Sequence, residues 1–320
     1  MSTAAAAAAA AATATASTFI LPDGRTLGYG TYGAALADSA HLPIFYFHSY
    51  PACRLECGLW HSSALKLNIN LIAIDRPGMG LSTFQEGRKI LDWPDDVLSL
   101  ADHLKIKEFG VLGLSGGGPY VLACVKAIPK DRLKTAALVS GLYPTSLGTG
   151  GMLFKSRVLL YVAPWVPGLL TGVVDLTMGR AARDKTHPEK FAQLVEAEMV
   201  GDDKPAVDKE CFRKIVEDPA LRSAFVESVR DSMSTSAQGA VWEAALNGGD
   251  WGFELGDVDA RRLVTWHGAL DVNVPVAMAD KAATMLEGVE YKRFEEEAHF
   301  SLAVGHLDEI LTGLVEGARQ

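Results

Sequence analysis

The sequence predicts an α/β protein, a largely parallel sheet flanked by helices and interrupted by an all-helical insertion. Three observations carry that expectation. The apolar runs Ile44-Phe-Tyr-Phe, Leu71-Ile-Ala-Ile and Gly110-Val-Leu-Gly-Leu are short, uninterrupted and bounded by turn residues, the pattern of strands buried on both faces of a parallel sheet. Between them lie segments of helical spacing, which implies crossover helices. From about Ser146 to Trp251 the strand pattern vanishes and charge-mixed helical segments such as Lys190-Phe-Ala-Gln-Leu-Val-Glu-Ala-Glu-Met take over.

In chain order, residues 1–17 form an alanine-rich low-complexity tail. It contains neither Lys nor Arg, as a signal or transit peptide would, so function is expected to survive its removal. Thr18-Phe-Ile-Leu and Arg25-Thr-Leu-Gly-Tyr-Gly flank Pro22-Asp23-Gly24, whose turn chemistry predicts an antiparallel hairpin. Asp92, Pro94 and the acids at 95 and 96 mark a helix start. Val97, Leu98, Leu100, Ala101 and Leu104 then supply one apolar face. Further strands are expected at Thr135-Ala-Ala-Leu-Val, Arg262-Leu-Val-Thr-Trp and Val289-Glu-Tyr-Lys-Arg-Phe. The domain plan is therefore a core of 18–145 and 252–320 with an insertion over 146–251.

The most apolar segment, Val158 to Val174, lies in that insertion. A membrane span needs about 20 apolar residues. This segment is shorter, broken by Pro164 and Pro167, and flanked by Arg157 and Asp175. No transmembrane segment is expected. Core packing of the insertion is the plain reading, with a lipophilic pocket wall or a homo-oligomer contact through the insertion as functional alternatives.

Composition excludes other classes. The net charge of -9, from 39 acidic and 30 basic residues with no Lys/Arg cluster, argues against nucleic acid as partner. The four cysteines form no CxxC pair and no regular framework, so neither a metal site nor a disulfide scaffold is indicated. A reducing, cytoplasmic location fits.

Chemistry concentrates in Gly113-Leu-Ser115-Gly-Gly117, a G-x-S-x-G pentapeptide between a predicted strand and a predicted helix. A serine on so sharp a turn needs small neighbours, and the helix beginning near Gly116 aims its free N–H groups at that position. A glycine-rich turn without chemistry has the same spelling, so partners decide. A serine nucleophile needs a histidine base and an orienting carboxylate. In proteins that carry this motif the chain order is Ser, then Asp or Glu just after a late strand, then a His near the C-terminus. On that order His299, which follows a late strand and opens the last helix, is the candidate, and His306 lies inside that helix. Asp271 stands in a loop after a strand and before the helix that starts near Pro275. The carboxylates at 257, 259 and 280 are worse placed, and Glu295 to Glu297 read as a solvated strand end. An oxyanion hole would use the N–H of Gly116 and that of Tyr50, in the loop His48-Ser-Tyr-Pro51 after the strand Ile44-Phe-Tyr-Phe.

These residues resemble those of the α/β-hydrolase superfamily. The resemblance covers everything outside the tail and the insertion and rests on His48-Ser-Tyr-Pro51, Asp75-Arg-Pro-Gly-Met-Gly-Leu-Ser82, Gly113-Leu-Ser-Gly-Gly117, Gly268-Ala-Leu-Asp271 and Ala298-His299-Phe. It implies a mostly parallel eight-stranded sheet, an insertion acting as a cap or lid, acyl-enzyme chemistry and no cofactor. Asp75 and Arg76 are then expected to fix loops rather than touch substrate. The loop usually reads His-Gly, and Ser49 replaces that glycine here. With His48 and Ser49 as pocket candidates, a side chain at 49 is expected to narrow the site or alter the hole.

The resulting expectation is a serine hydrolase with the triad Ser115, Asp271 and His299, acting on an ester or lactone of a small-molecule, apolar substrate. Two alternatives remain at this stage. The same triad could serve an acyltransferase or a lactone-forming cyclase, passing the acyl group to a hydroxyl instead of water, if water is kept out. The scaffold could also serve as a ligand receptor without turnover.

Overall fold

The computed structural model describes residues 16–318, so most of the alanine-rich tail lies outside the described residues. Strands β1 (Ser17–Ile20) and β2 (Thr26–Gly33) pair antiparallel across the Pro22-Asp23-Gly24 turn, where Gly24 has φ +87°. β3 (Ile44–Phe47), β4 (Asn70–Ile74), β5 (Phe109–Leu114), β6 (Leu133–Val139), β7 (Leu263–Gly268) and β8 (Glu290–Phe294) complete an eight-stranded sheet. The order is β1-β2-β4-β3-β5-β6-β7-β8, parallel from β4 to β8.

The apolar runs are strands because both sheet faces are covered. Successive side chains point to opposite faces. Phe45, Phe47, Ile72, Ile74, Val111 and Leu138 accordingly join one core cluster, while Ile44, Tyr46, Leu71, Ala73, Leu112 and Val139 join the other. Trp93–His103 and Gly118–Ala127 pack in the first cluster, and the last helix, Leu307–Gly317, in the second. Because the parallel strands share a direction, the loops after β3, β5, β6, β7 and β8 all open at one edge of the sheet, where ligands of open α/β sheets bind.

Between β6 and β7 the described residues contain helices and turns and no strand. The helices are Phe154–Val162, Pro167–Val174, Pro188–Met199, Ala206–Glu217, Pro219–Asp231 and Gln238–Gly248, with a π-helical turn, Asp175–Gly179, continuing into Arg180–Ala182. The apolar segment does not pack inward as a whole. Leu160 and Ala163 are buried, but Tyr161, Trp165, Leu169 and Val173 are exposed. The first two helices each pack one face on Gln238–Gly248, and among the described residues no second layer lies over the other. No described helix is long and apolar enough to cross a membrane.

Buried charges join insertion to core. Arg76, after β4, is fully buried and donates through Nε to both oxygens of Glu243 at 2.7 and 2.8 Å. Arg88 Nη2 meets Glu243 at 3.0 Å and Arg88 Nη1 reaches the Tyr120 hydroxyl at 2.9 Å. Arg54 bridges Asp75 of the core and Asp231 of the insertion, at 2.8 Å to each. Removing one partner of a buried pair strands a charge in low dielectric. Glu243→Leu, which strands two guanidinium groups, is therefore expected to cost about 3–5 kcal/mol in urea unfolding. Removing the exposed Lys66–Asp308 pair with Lys66→Ala should leave the midpoint unchanged.

Candidate active site

The chain leaves β5 and turns at once into a 3₁₀ turn, Ser115–Gly117, then into the helix Gly118–Ala127. Ser115 sits at the turn with φ +52°, a left-handed conformation costly for a residue with a side chain. Small neighbours make that turn fit. A methyl group at Gly113 would lie 2.5 Å from Val121 Cγ2, and one at Gly116 would lie 2.7 Å from Tyr50 Cβ.

Three side chains from three loops meet at this turn. Ser115 Oγ lies 2.9 Å from His299 Nε2, and His299 Nδ1 lies 2.6 Å from Asp271 Oδ2. Asp271 is held by its own loop, since Oδ1 accepts the N–H groups of Asn273 and Val274, both at 2.8 Å. That fixes the Nδ1–H tautomer of His299 and leaves Nε2 to accept the serine proton. Burial pushes the His299 imidazole down, but the Asp271 charge and hydrogen bond outweigh it and hold the group above its ordinary value. Asp257, Asp259 and Asp280 are committed elsewhere, to Lys126, to Lys130 and Arg261, and to Tyr291 and Arg293.

The two expected N–H donors adjoin. A Cβ built at Gly116 would stand 3.2 Å from Tyr50 N, so the backbone of Tyr50 lies directly against the turn at Gly116. Gly116, in the first turn of a helical segment, has no intrahelical carbonyl to serve. Tyr50 N–H has no acceptor among the described residues.

His48 and Ser49 do not stand in the site as expected. His48 has no exposed surface; its Nδ1 donates to the Ser49 carbonyl at 2.8 Å and its Nε2 accepts from Arg76 N–H at 3.3 Å. Burial, together with the neighbouring Arg76 charge, keeps this imidazole well below its ordinary pKa and hence neutral. Ser49 does not project over the nucleophile turn either. Its hydroxyl donates to buried Glu56, whose other oxygen accepts the Ser49 N–H at 2.8 Å and the Tyr46 hydroxyl at 2.6 Å. The side chain expected to narrow the site is turned back into the core. His306, expected inside the last helix, instead marks a break between His299–Gly305 and Leu307–Gly317, where it faces Glu309 and Glu297.

Several supporting residues escaped the sequence reading. Asp208, in the insertion helix Ala206–Glu217, is buried and accepts the N–H groups of Phe300 and Ser301 at 2.9 and 2.8 Å. It thereby caps the helix that His299 opens, and its charge adds to that of Asp271 on the imidazole. Ser140, with φ +47°, donates to the His299 carbonyl at 3.0 Å. His267 is buried, donates through Nε2 to the Val274 carbonyl at 2.8 Å and so braces the Asp271 loop. Only positive φ at a serine, invisible in sequence, would have flagged Ser140.

An eight-stranded sheet of this order, with a strained serine after β5, an acid after β7 and a histidine after β8, is the α/β-hydrolase fold, and the chain has it. No family model matches the chain. Among solved structures it is similar to a thermophilic esterase from Thermogutta terrifontis, with 16% identity, TM-score 0.60 and coverage of 96% of this chain and 98% of that one. The enol-lactonase from Burkholderia xenovorans LB400 has 19% identity and TM-score 0.61, over 95% and 100% of the two chains. An alpha/beta hydrolase fold protein from Nakamurella multipartita has 19% identity and TM-score 0.62, again over 95% and 100%. A curated relative, the uncharacterized hydrolase YcgS of Bacillus subtilis strain 168, is 25% identical over 155 residues, 47% of this chain; the match spans about half of that protein's length, 51%.

The charges facing His299 are Asp271 from the β7 loop, Asp208 and Lys204 from the insertion, and His267 from β7, which burial keeps below its ordinary pKa. Asp208→Asn keeps a capping oxygen but removes a negative charge, so the pKa of His299 must fall. NMR titration of ring-labelled histidine should place His299 above 6.5 in the wild type and lower in this variant. Asp208→Ala removes the cap as well, leaves two buried N–H groups unpaired and should cost about 1–3 kcal/mol in unfolding free energy.

Proposed function

We propose that the protein is a serine hydrolase that cleaves an ester or lactone of a small to medium-sized apolar substrate through an acyl-enzyme. The observation that carries this reading is the relay of 2.9 Å from Ser115 Oγ to His299 Nε2 and 2.6 Å from His299 Nδ1 to Asp271, set on a strand-to-helix turn. His299 takes the Ser115 proton as Oγ attacks the substrate carbonyl, and Asp271 stabilises the imidazolium that forms. The N–H groups of Tyr50 and Gly116 receive the negative charge on the carbonyl oxygen, each lowering the barrier by about 3 kcal/mol. His299 then returns the proton to the departing alcohol. Water, activated by the same imidazole, attacks the acyl group and releases the acid and free Ser115.

The chemistry draws only on groups of this chain, with no cofactor. On this reading residues 146–251 serve as a lid over a core of 18–145 and 252–320, and the enzyme works in the cytoplasm. Neighbouring folds described as an esterase and an enol-lactonase support the choice of substrate class.

Labelling by a fluorophosphonate probe tests the nucleophile. The wild type is expected to label, Ser115→Ala not at all, and His299→Ala at a rate lower by about 10⁴-fold or more. Absence of labelling in the wild type would turn the assignment toward a ligand receptor. Turnover of a panel of aryl esters and lactones, read by product mass, separates the two enzymatic outcomes. Hydrolysis adds one water to a lactone, whereas a cyclase converts a hydroxy ester to a lactone with loss of its alcohol. For hydrolysis, kcat/KM should fall on the acid side with an apparent pKa above 6.5, because the raised pKa of His299 keeps the base protonated to a higher pH.

A further inference from the structure

The insertion carries an apolar face that none of the described residues covers. Phe154, Val158, Tyr161 and Trp165 follow one another at helical spacing, and Leu169 and Leu176 continue the face on the next helix and the π-helical turn. Trp165 is 84% exposed, Phe154 79%, Leu176 75% and Leu169 69%, and what sets them apart from scattered surface hydrophobics is that they fall together on one short segment. Both helices already bury their opposite faces on Gln238–Gly248, so the exposed side is not the unfilled half of a core.

Charge tells what the face suits. No charged residue occurs from Val158 to Val174, although the chain as a whole carries -9. At its margins stand Lys155, which pairs with Glu198 at 3.0 Å, and Arg157 and Arg180, all exposed. Arg157 and Arg180 have no acidic partner among the described residues. The one acid from 154 to 180, Asp175, is turned inward: it accepts from Ser236 and from the Ala237 N–H and pairs with Arg183. An apolar face with an aromatic at its apex and unpaired arginines at its margin is complementary to an anionic lipid surface. A second copy of the chain meeting this face through the same patch would offer those arginines no free acid, since Asp175 is the one carboxylate from 154 to 180.

We propose that this face docks on an anionic membrane surface, with Trp165 and Leu169 at the boundary of headgroups and acyl chains and Arg157 and Arg180 against the headgroups. The segment lies on the bilayer and does not cross it. Docking involves no residue of the Ser115 site, so it stands or falls apart from the proposed hydrolysis.

Co-sedimentation of the full chain with sucrose-loaded vesicles tests this. Vesicles of phosphatidylcholine with about a third phosphatidylglycerol should pellet the protein, and phosphatidylcholine alone should pellet much less. Trp165→Ser with Leu169→Ser should weaken binding by about tenfold or more. Arg157→Glu with Arg180→Glu should abolish the preference for anionic lipid, and Ser115→Ala should bind like the wild type. All four docking positions are solvent-exposed, so unchanged thermal melting is expected and separates lost docking from lost fold. Wild type that stays in the supernatant with both vesicles would overturn the proposal. So would a dimer by light scattering that Trp165→Ser converts to monomer, because a second copy would then own the face.

Discussion

Arg76 has no exposed surface, and a guanidinium cannot shed its charge. Everything around it is arranged to keep that charge solvated by protein. Its Nη1 donates to the His48 carbonyl at 2.7 Å and its Nη2 to the Ser49 carbonyl at 3.1 Å, which fixes the loop whose next N–H belongs to Tyr50. Glu243 neutralises it from the insertion, and the Tyr120 ring, from the helix that follows Ser115, lies 4.8 Å from its centre. One buried cation therefore sets the β3 loop, the helix behind the serine and the seat of the insertion at once. The loop's position depends on a carboxylate supplied from outside the core.

The same logic repeats at the histidine. Asp208 comes from the insertion and satisfies two N–H groups at the start of the helix that His299 opens, while Asp231 reaches Arg54 beside Asp75. The insertion thus touches the site through carboxylates that end on core loops, not through the apolar segment that dominates its sequence. Swinging it away as one rigid flap would expose Arg76 and uncap the His299 helix together. Any opening that admits a ligand therefore costs less if it is confined to the first two helices, which contact the rest of the protein chiefly through Gln238–Gly248.

What was legible in the sequence is what short-range chemistry encodes. The strands came from apolar runs, the hairpin from Pro22-Asp23-Gly24, and Ser115, Asp271 and His299 from their places after strands. Each of those signals is complete within a few residues. Asp208, Glu243 and Glu56 were not legible, because a lone acid in a charge-mixed helix or turn has the same local spelling whether it meets water or a buried N–H. Ser49 misled for a related reason: its side chain was assigned to the nearest site, and the carboxylate that claims it lies seven residues on and is fully buried. The outward face of Val158 to Val174 was misread because hydrophobicity reports a preference for leaving water, not which surface will supply the shelter.

Glu56 gives the serine at position 49 a physical sense. A carboxylate so near the proposed oxyanion donors would work against them if it were charged and unshared. Burial raises its pKa, while the hydroxyl and N–H of Ser49 and the hydroxyl of Tyr46 act to stabilise its charged form. Glycine at 49 would remove one of the three groups that hold this carboxylate and leave a buried acceptor less satisfied. Serine and Glu56 are therefore best understood as a unit: the hydroxyl answers the carboxylate, the carboxylate takes up the Ser49 N–H, and the next N–H, that of Tyr50, is left without an acceptor among the described residues beside Gly116. The departure from glycine does not fill the space over the nucleophile turn; it ties the Ser49 side chain and N–H to Glu56 and leaves the Tyr50 N–H free for the proposed hole.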